Sequence, residues 1–96
     1  MKEPDRTLSP PKQAVIRHAD EIASQLFDLS RRLYDHPETA YQERNACQWL
    51  SDWIRNQGFD VEIGVGGIET AFLARPPGFA GRRPCAAFMA EYDALP

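Results

Sequence analysis

Residues 85–90 form a short run, Cys-Ala-Ala-Phe-Met-Ala, that is apolar at every position. A strand with one face in water alternates apolar and polar residues, whereas a strand covered on both faces is apolar throughout. The run therefore predicts a central strand, which needs cover on both faces and a neighbour on each edge. In a chain of 96 residues, two helices and a hairpin would supply about one face and one edge. We therefore expect an α/β fold that is incomplete.

Two amphipathic helices are predicted in the first half of the chain. Ser9 precedes two prolines, which suit the first turn of a helix because an N–H is not needed there. Apolar residues then recur at helical spacing until about Asp35, and His36 is excluded because it precedes a proline. A second helix is expected from about Glu43, whose charge suits the helix dipole. Gly58 fits the left-handed cap that would end it.

The hydrophobic period then changes from helical to alternating. Apolar residues occupy every second position over 59–65, which predicts a strand with one buried face. Gly66 and Gly67 are a turn signal. Residues 70–74 read as the returning strand of a hairpin. With the apolar run at 85–90, the predicted fold class is α/β, with two helices on a mixed sheet.

Composition and charge exclude several classes of protein. The chain is 43% hydrophobic and 26% charged, which argues against disorder, and its net charge of −3 comes without a concentrated basic face for nucleic acid. It has no apolar run that approaches a membrane span, and residues 1–11 lack an apolar signal core. Cys47 and Cys85 are too few for a disulfide framework. We expect a flexible tail at 1–10, one folded unit at 11–96, and a cytoplasmic location.

Two carboxylates follow the predicted central strand. Glu91 and Asp93 are two residues apart, so in an extended chain they project to one face with Cα atoms roughly 6.5 Å apart. Ligands of open α/β sheets bind at the carboxyl ends of strands. Paired carboxylates can hold a metal or perform acid–base chemistry. Two solvated acids where a strand enters a loop are the simpler alternative.

The histidines do not predict a metal site. His18 and His36 are the only two in the sequence, and a zinc site normally takes three or four protein ligands. His18 lies off the apolar stripe of its helix and is expected in solvent. His36 is expected as a turn residue. We therefore expect no cofactor or metal bound by this chain alone.

Four short motifs occur in a fixed order along the chain. They are His36-Pro37-Glu38 followed by Glu43, Gly58-Phe59-x-Val61, Gly66-Gly67-Ile68 and Glu91-x-Asp93-Ala94-Leu95-Pro96. Together they resemble the zinc-dependent amidohydrolases and metallopeptidases that include carboxypeptidase G, aminoacylase and the auxin-conjugate hydrolases. The p-aminobenzoyl-glutamate hydrolase-like subgroup looks nearest. The resemblance implies the N-terminal part of a three-layer catalytic domain.

The resemblance also implies roles for individual residues. Many members of the family carry His-x-Asp-x-x-Pro at the end of this strand, where the His binds metal and the Asp orients it. Asp93 and Pro96 match that pattern, whereas Glu91 stands at the position of the His. The resemblance thus makes Asp93 a supporting residue beside the catalytic centre. It places the metal ligands and the catalytic Glu beyond Pro96.

The activity implied for the full-length enzyme is hydrolysis of the amide bond in N-acyl amino acids or dipeptides. Its cofactor would be zinc or another divalent metal, its partner a small amide or dipeptide substrate, and it could form a homo-oligomer. This chain alone would be inactive. The alternative from another class is a non-catalytic α/β module that pairs with a partner through an open sheet edge. A stop codon after Pro96 would favour that alternative.

Overall fold

The computed structural model of the chain describes residues 7–79 and 81–96. Its elements, in order, are helix α1 (Pro10–Asp35), helix α2 (Arg44–Asn56), strand β1 (Asp60–Ile63), a 3-10 turn (Val65–Gly67) and strand β2 (Phe72–Arg75). The strands form an antiparallel hairpin in which Asp60 lies opposite Arg75 and Ile63 opposite Phe72. The predicted α/β class is confirmed. Most of the tail predicted at 1–10 lies outside the described residues, and Pro10 already begins α1.

Both helices end where the sequence predicts. At the C-terminus of α1 the N–H of His36 donates to the Leu33 carbonyl, and the following proline prevents a further helical turn. After α2 the chain turns at Gly58, which has a φ of 96° and donates its N–H to the Arg55 carbonyl at 2.9 Å. Glycine adopts such a positive φ without the clash that a Cβ causes. None of the helices in the described part of the chain is long and apolar enough to cross a membrane.

The buried core is small and lies around α2. Its buried apolar residues are Leu29 of α1 and Ala46 and Cys47 of α2, and Ser51 and Thr70 are its buried polar residues. Two tryptophans of α2 also contact side chains of α1. The Trp53 Nε1–H donates to Gln25 Oε1 at 3.0 Å, and the Arg32 guanidinium lies 5.3 Å from the centre of the Trp49 ring. α2 thus connects α1 to the hairpin.

The predicted central strand at 85–90 is absent, and this prediction was wrong for the described chain. Those residues have no regular secondary structure, and the sheet contains only β1 and β2 among the residues described. Phe88 is 100% exposed and Met89 96%. A strand that is apolar on both faces forms only where layers cover both faces, and the small core around α2 provides no such cover. Among the described residues, parallel pairing is limited to an isolated bridge between Thr39 and Ala94, so the sheet is antiparallel rather than mixed.

The exposed run at 85–90 predicts self-association of the 96-residue chain, because extended apolar segments pair with one another. We expect the parent chain to form oligomers in sedimentation velocity. The double variant Phe88→Glu, Met89→Glu should shift it toward monomer, because charges oppose such pairing.

Phe27→Glu is a matched control, since Phe27 is also exposed, at 73%, but lies on α1. We expect this variant to associate like the parent. A monomeric parent chain, or equal loss of association in the control, would contradict the prediction.

Candidate functional site

The segment that follows the apolar run is attached to the fold at two points. The Tyr92 hydroxyl donates a hydrogen bond to the Thr70 carbonyl, which lies just before β2. The Ala94 N–H donates to the Glu38 carbonyl at 2.7 Å, in the connection between the helices. Asp93 lies between these two attachments. Its backbone position is therefore set by contacts on both sides.

Glu38 also caps the first turn of α2. Its Oε2 accepts a hydrogen bond from the Asn45 N–H at 3.1 Å, and its Oε1 accepts one from the Ala46 N–H at 2.8 Å. The N–H groups of a first helical turn have no partner within the helix, and a negative charge there also suits the helix dipole. Glu38 therefore satisfies two of these donors. Its side chain and its backbone serve different parts of the fold.

Glu43, the acidic residue expected to suit the helix dipole, makes a different contact. It occupies the position before α2 but its carboxylate makes no capping hydrogen bond. Its Oε1 instead accepts a hydrogen bond from the Thr70 hydroxyl at 3.0 Å. Thr70 is buried, with 5% of its surface exposed. Thr70 thus links the start of α2 to Tyr92.

Tyr92 is held in a partly apolar environment. Its ring stacks on Phe72 of β2, with ring centres 6.0 Å apart and planes inclined by 25°. Burial raises the pKa of Tyr92 well above its ordinary value, and the neighbouring Cys47 thiol and Glu43 carboxylate raise it further. Burial disfavours the tyrosinate because it removes water from the charged oxygen, and the negative charge of Glu43 repels it. Tyr92 is therefore a neutral hydrogen-bond donor over the whole physiological range.

A cavity of 460 Å³, called the Asp93 cavity below, lies beside these attachments. It is lined by Leu33, Tyr34, His36, Pro37, Glu38, Ala46, Tyr92, Asp93 and Ala94. Asp93 is exposed to solvent and lines this cavity. Glu91 is exposed too and is not part of the lining. Of the two carboxylates that the sequence pairs, Asp93 is the one associated with this cavity.

The two histidines occupy the positions expected from the sequence. His18 is exposed on α1, with its Nδ1 3.6 Å from the Glu21 carboxylate. His36 lies at the end of α1 with its Nδ1 3.0 Å from the Arg32 carbonyl, so this nitrogen carries the proton and donates it. Its ring and the Trp49 ring form a T-shaped pair, with ring centres 5.3 Å apart and planes inclined by 76°. These contacts give His36 a structural role at the helix end.

The donor groups of the described residues do not fit a zinc site. A structural or catalytic zinc takes at least three protein ligands at converging positions. Within residues 7–79 and 81–96, no three His, Cys, Asp or Glu side chains come together in that way. Cys47 is buried and Cys85 is exposed, and both are free thiols. No chemical step can therefore be assigned to a metal held by these residues.

Sequence reasoning singled out Asp93 but missed the residues that hold it. Glu38 lies five residues before the N-cap of α2 rather than at it, so no local capping pattern marks it. Thr70 and Tyr92 are far apart in the sequence, and no periodicity relates them. The available signals were the His36-Pro37-Glu38 motif and a tyrosine between two acidic residues, at the point where an apolar run ends.

The chain is similar in sequence to several curated proteins. It is 37% identical over 68 residues to one of the subunits of p-aminobenzoyl-glutamate hydrolase from Escherichia coli (strain K12), a match that covers 71% of this chain and 14% of that protein. It is 36% identical over 92 residues to the Xaa-Arg dipeptidase of Mus musculus, a match that covers 88% of this chain and 21% of the dipeptidase. It is 32% identical over 78 residues to thermostable carboxypeptidase 1 of Saccharolobus solfataricus, a match that covers 79% of this chain and 19% of the carboxypeptidase.

The chain belongs to the amidohydrolase and peptidase family of these homologues, which confirms the resemblance seen in the sequence motifs. It spans between 14% and 21% of the length of these three relatives. No family profile matches the sequence. No solved structure matches it significantly.

The raised pKa of Tyr92 predicts a pH-dependent stability. The unfolded chain releases the tyrosine proton at about pH 10, whereas the folded chain retains it to higher pH. The contribution of Tyr92 to the free energy of unfolding should therefore be fully present below about pH 10 and be lost as the pH rises above it. Urea titrations followed by circular dichroism at about pH 8 and pH 10.5 would measure this fall.

Tyr92→Phe should remove this dependence and lower the free energy of unfolding at neutral pH by about 1 kcal/mol, because the Thr70 carbonyl loses its donor. Tyr41→Phe is the control, since Tyr41 is 69% exposed. It should keep the parental dependence on pH. Equal slopes for the parent and Tyr92→Phe would contradict the prediction.

Proposed function

We propose that this chain is the N-terminal part of a metal-dependent amidohydrolase that cleaves the amide bond of N-acyl amino acids or dipeptides. The support is its homology to a p-aminobenzoyl-glutamate hydrolase, a dipeptidase and a carboxypeptidase, over 71% to 88% of its own length. All three names denote cleavage of an amide or peptide bond. Because the chain spans at most 21% of those three relatives, the activity would belong to a larger protein.

The geometry that supports this proposal is the placement of Asp93. It lies at the Asp93 cavity, between the Tyr92 and Ala94 attachments. A carboxylate in a defined position can accept a hydrogen bond from a metal-binding histidine and fix its tautomer and orientation. We assign Asp93 this supporting role. Glu91, which is exposed and outside the cavity lining, has no part in it.

The metal belongs to the proposed larger enzyme and not to these residues. The described donors do not assemble a site, so further residues of that enzyme would be needed to bind zinc or another divalent metal. In this proposal the 96 residues supply scaffold and the Asp93 carboxylate. A small amide or dipeptide substrate and a cytoplasmic location are part of the same proposal.

One observation favours a second candidate function. Residues 85–90 are exposed and apolar, and the described sheet has only two strands. A non-catalytic module that binds a partner by strand addition would expose such a segment. This candidate predicts no hydrolysis by the protein that contains the chain.

A substrate panel separates the two candidates. The complete protein is assayed with p-aminobenzoyl-glutamate, N-acyl amino acids and dipeptides, before and after treatment with a chelator. We expect hydrolysis of at least one substrate class, its loss with the chelator, and its recovery on adding zinc. A protein that hydrolyses none of them, when freshly loaded with zinc, would refute the enzymatic proposal and favour the interaction module.

Asp93→Asn in the complete protein should lower hydrolysis or zinc retention by about 10–100-fold, as loss of such a supporting partner typically does. Folding should be largely intact, because the Asp93 side chain is exposed. Activity, bound zinc and melting temperature are measured on the same preparation.

Glu91→Gln is the matched comparison, because Glu91 is an exposed carboxylate two residues away. It should change activity and zinc content less than Asp93→Asn. Parental activity and zinc content in Asp93→Asn would show a solvated loop acid. Complete loss of zinc in Glu91→Gln alone would instead make Glu91 a ligand.

A further inference from the structure

We propose that Glu38 is the positioning residue for Asp93, an inference that rests on the function proposed above. Glu38 acts through its backbone on one side and its side chain on the other. Its carbonyl accepts the N–H of Ala94, the residue after Asp93, at 2.7 Å. Its carboxylate accepts N–H groups from Asn45 and Ala46 at the start of α2. One residue thus ties the Asp93 segment to a helix end.

The connection between the helices keeps Glu38 in this place at a conformational cost. Tyr41 has a φ of 65°, a region that side chains with a Cβ rarely adopt. The turn around it is closed by the Gln42 N–H, which donates to the Thr39 carbonyl at 2.9 Å. Such a conformation persists only where contacts on either side hold it. Here those contacts are made by Glu38 before the turn and Glu43 after it.

The attachment through Tyr92 restricts the movement of Asp93 relative to Ala94. Tyr92 is anchored by its hydrogen bond to the Thr70 carbonyl and by its stacking on Phe72. Asp93 therefore follows an anchored residue and precedes another. Both anchoring residues, Glu38 and Tyr92, also line the Asp93 cavity.

Glu38 does not qualify as a catalytic residue. Both of its carboxylate oxygens accept backbone N–H groups of α2, and a proton on either oxygen would compete with those hydrogen bonds. Its effect on the reaction must pass through the position of Asp93. That is a different expectation from a general base, whose loss would leave the Ala94 hydrogen bond unchanged.

The experiment compares three variants of the complete protein with the parent. Glu38→Ala removes both contacts to α2, and Glu38→Gln keeps one oxygen acceptor. Glu69→Gln is the control, because Glu69 is an exposed carboxylate that pairs with Arg44 of the same helix end at 3.5 Å. Two readouts are combined. Hydrogen-exchange mass spectrometry follows the peptide that carries Ala94, and kcat, KM and bound zinc are measured at a temperature where all variants are folded.

We expect Glu38→Ala to speed exchange in the Ala94 peptide and to lower kcat by about 10-fold or more, with KM within about 2-fold of the parent. Glu38→Gln should recover part of both losses. Glu69→Gln should match the parent in both readouts. A role in folding alone would lower the melting temperature without changing kcat at a temperature where the variant is folded.

Unchanged exchange at Ala94 in Glu38→Ala would overturn the proposal, and so would unchanged kcat when exchange is faster. A parent protein that hydrolyses none of the substrates has a different meaning. It would overturn the proposed function, while faster exchange in Glu38→Ala would still support the positioning of the segment by Glu38.

Discussion

The arrangement around the Asp93 cavity depends on how the first turn of α2 is satisfied. The N–H groups of that turn need acceptors, and the carboxylate of Glu43, directly before the helix, does not provide one, since it accepts the Thr70 hydroxyl instead. Glu38 supplies both acceptors from further back in the chain. To reach them, the connection between the helices must fold back through the positive φ of Tyr41. That path brings the Glu38 carbonyl to Ala94.

Elements that depend on local patterns could be predicted from the sequence. The apolar stripe of α1 and the proline after His36 define that helix, and Gly58 marks the end of α2 because its φ of 96° suits glycine. The hairpin followed from alternation and a pair of glycines. The first strand of the hairpin is shorter than predicted, because β1 ends at Ile63. A 3-10 turn then takes the place of a simple two-residue turn.

Elements that depend on distant partners could not be predicted. The run at 85–90 has the composition of a strand covered on both faces. Composition shows only that such a strand needs neighbouring layers, and does not show that those layers are present. In the candidate site, Asp93 was found through the family resemblance, whereas Glu38 was recognised only as part of a motif and Thr70 only as part of a strand, neither with a role at the site. Their contacts join residues remote in sequence, and neither spacing nor periodicity carries that information. The contact from Tyr92 to Thr70 has the same character.

The two attachments of the Asp93 segment also determine when the site forms during folding. The helices and the hairpin close short loops, whereas the contacts from Ala94 to Glu38 and from Tyr92 to Thr70 close long ones. Loop closure costs more entropy as the loop lengthens, and it must precede the contacts that repay it. We therefore expect the Asp93 cavity to be completed late, on a scaffold of helices and hairpin that is already in place.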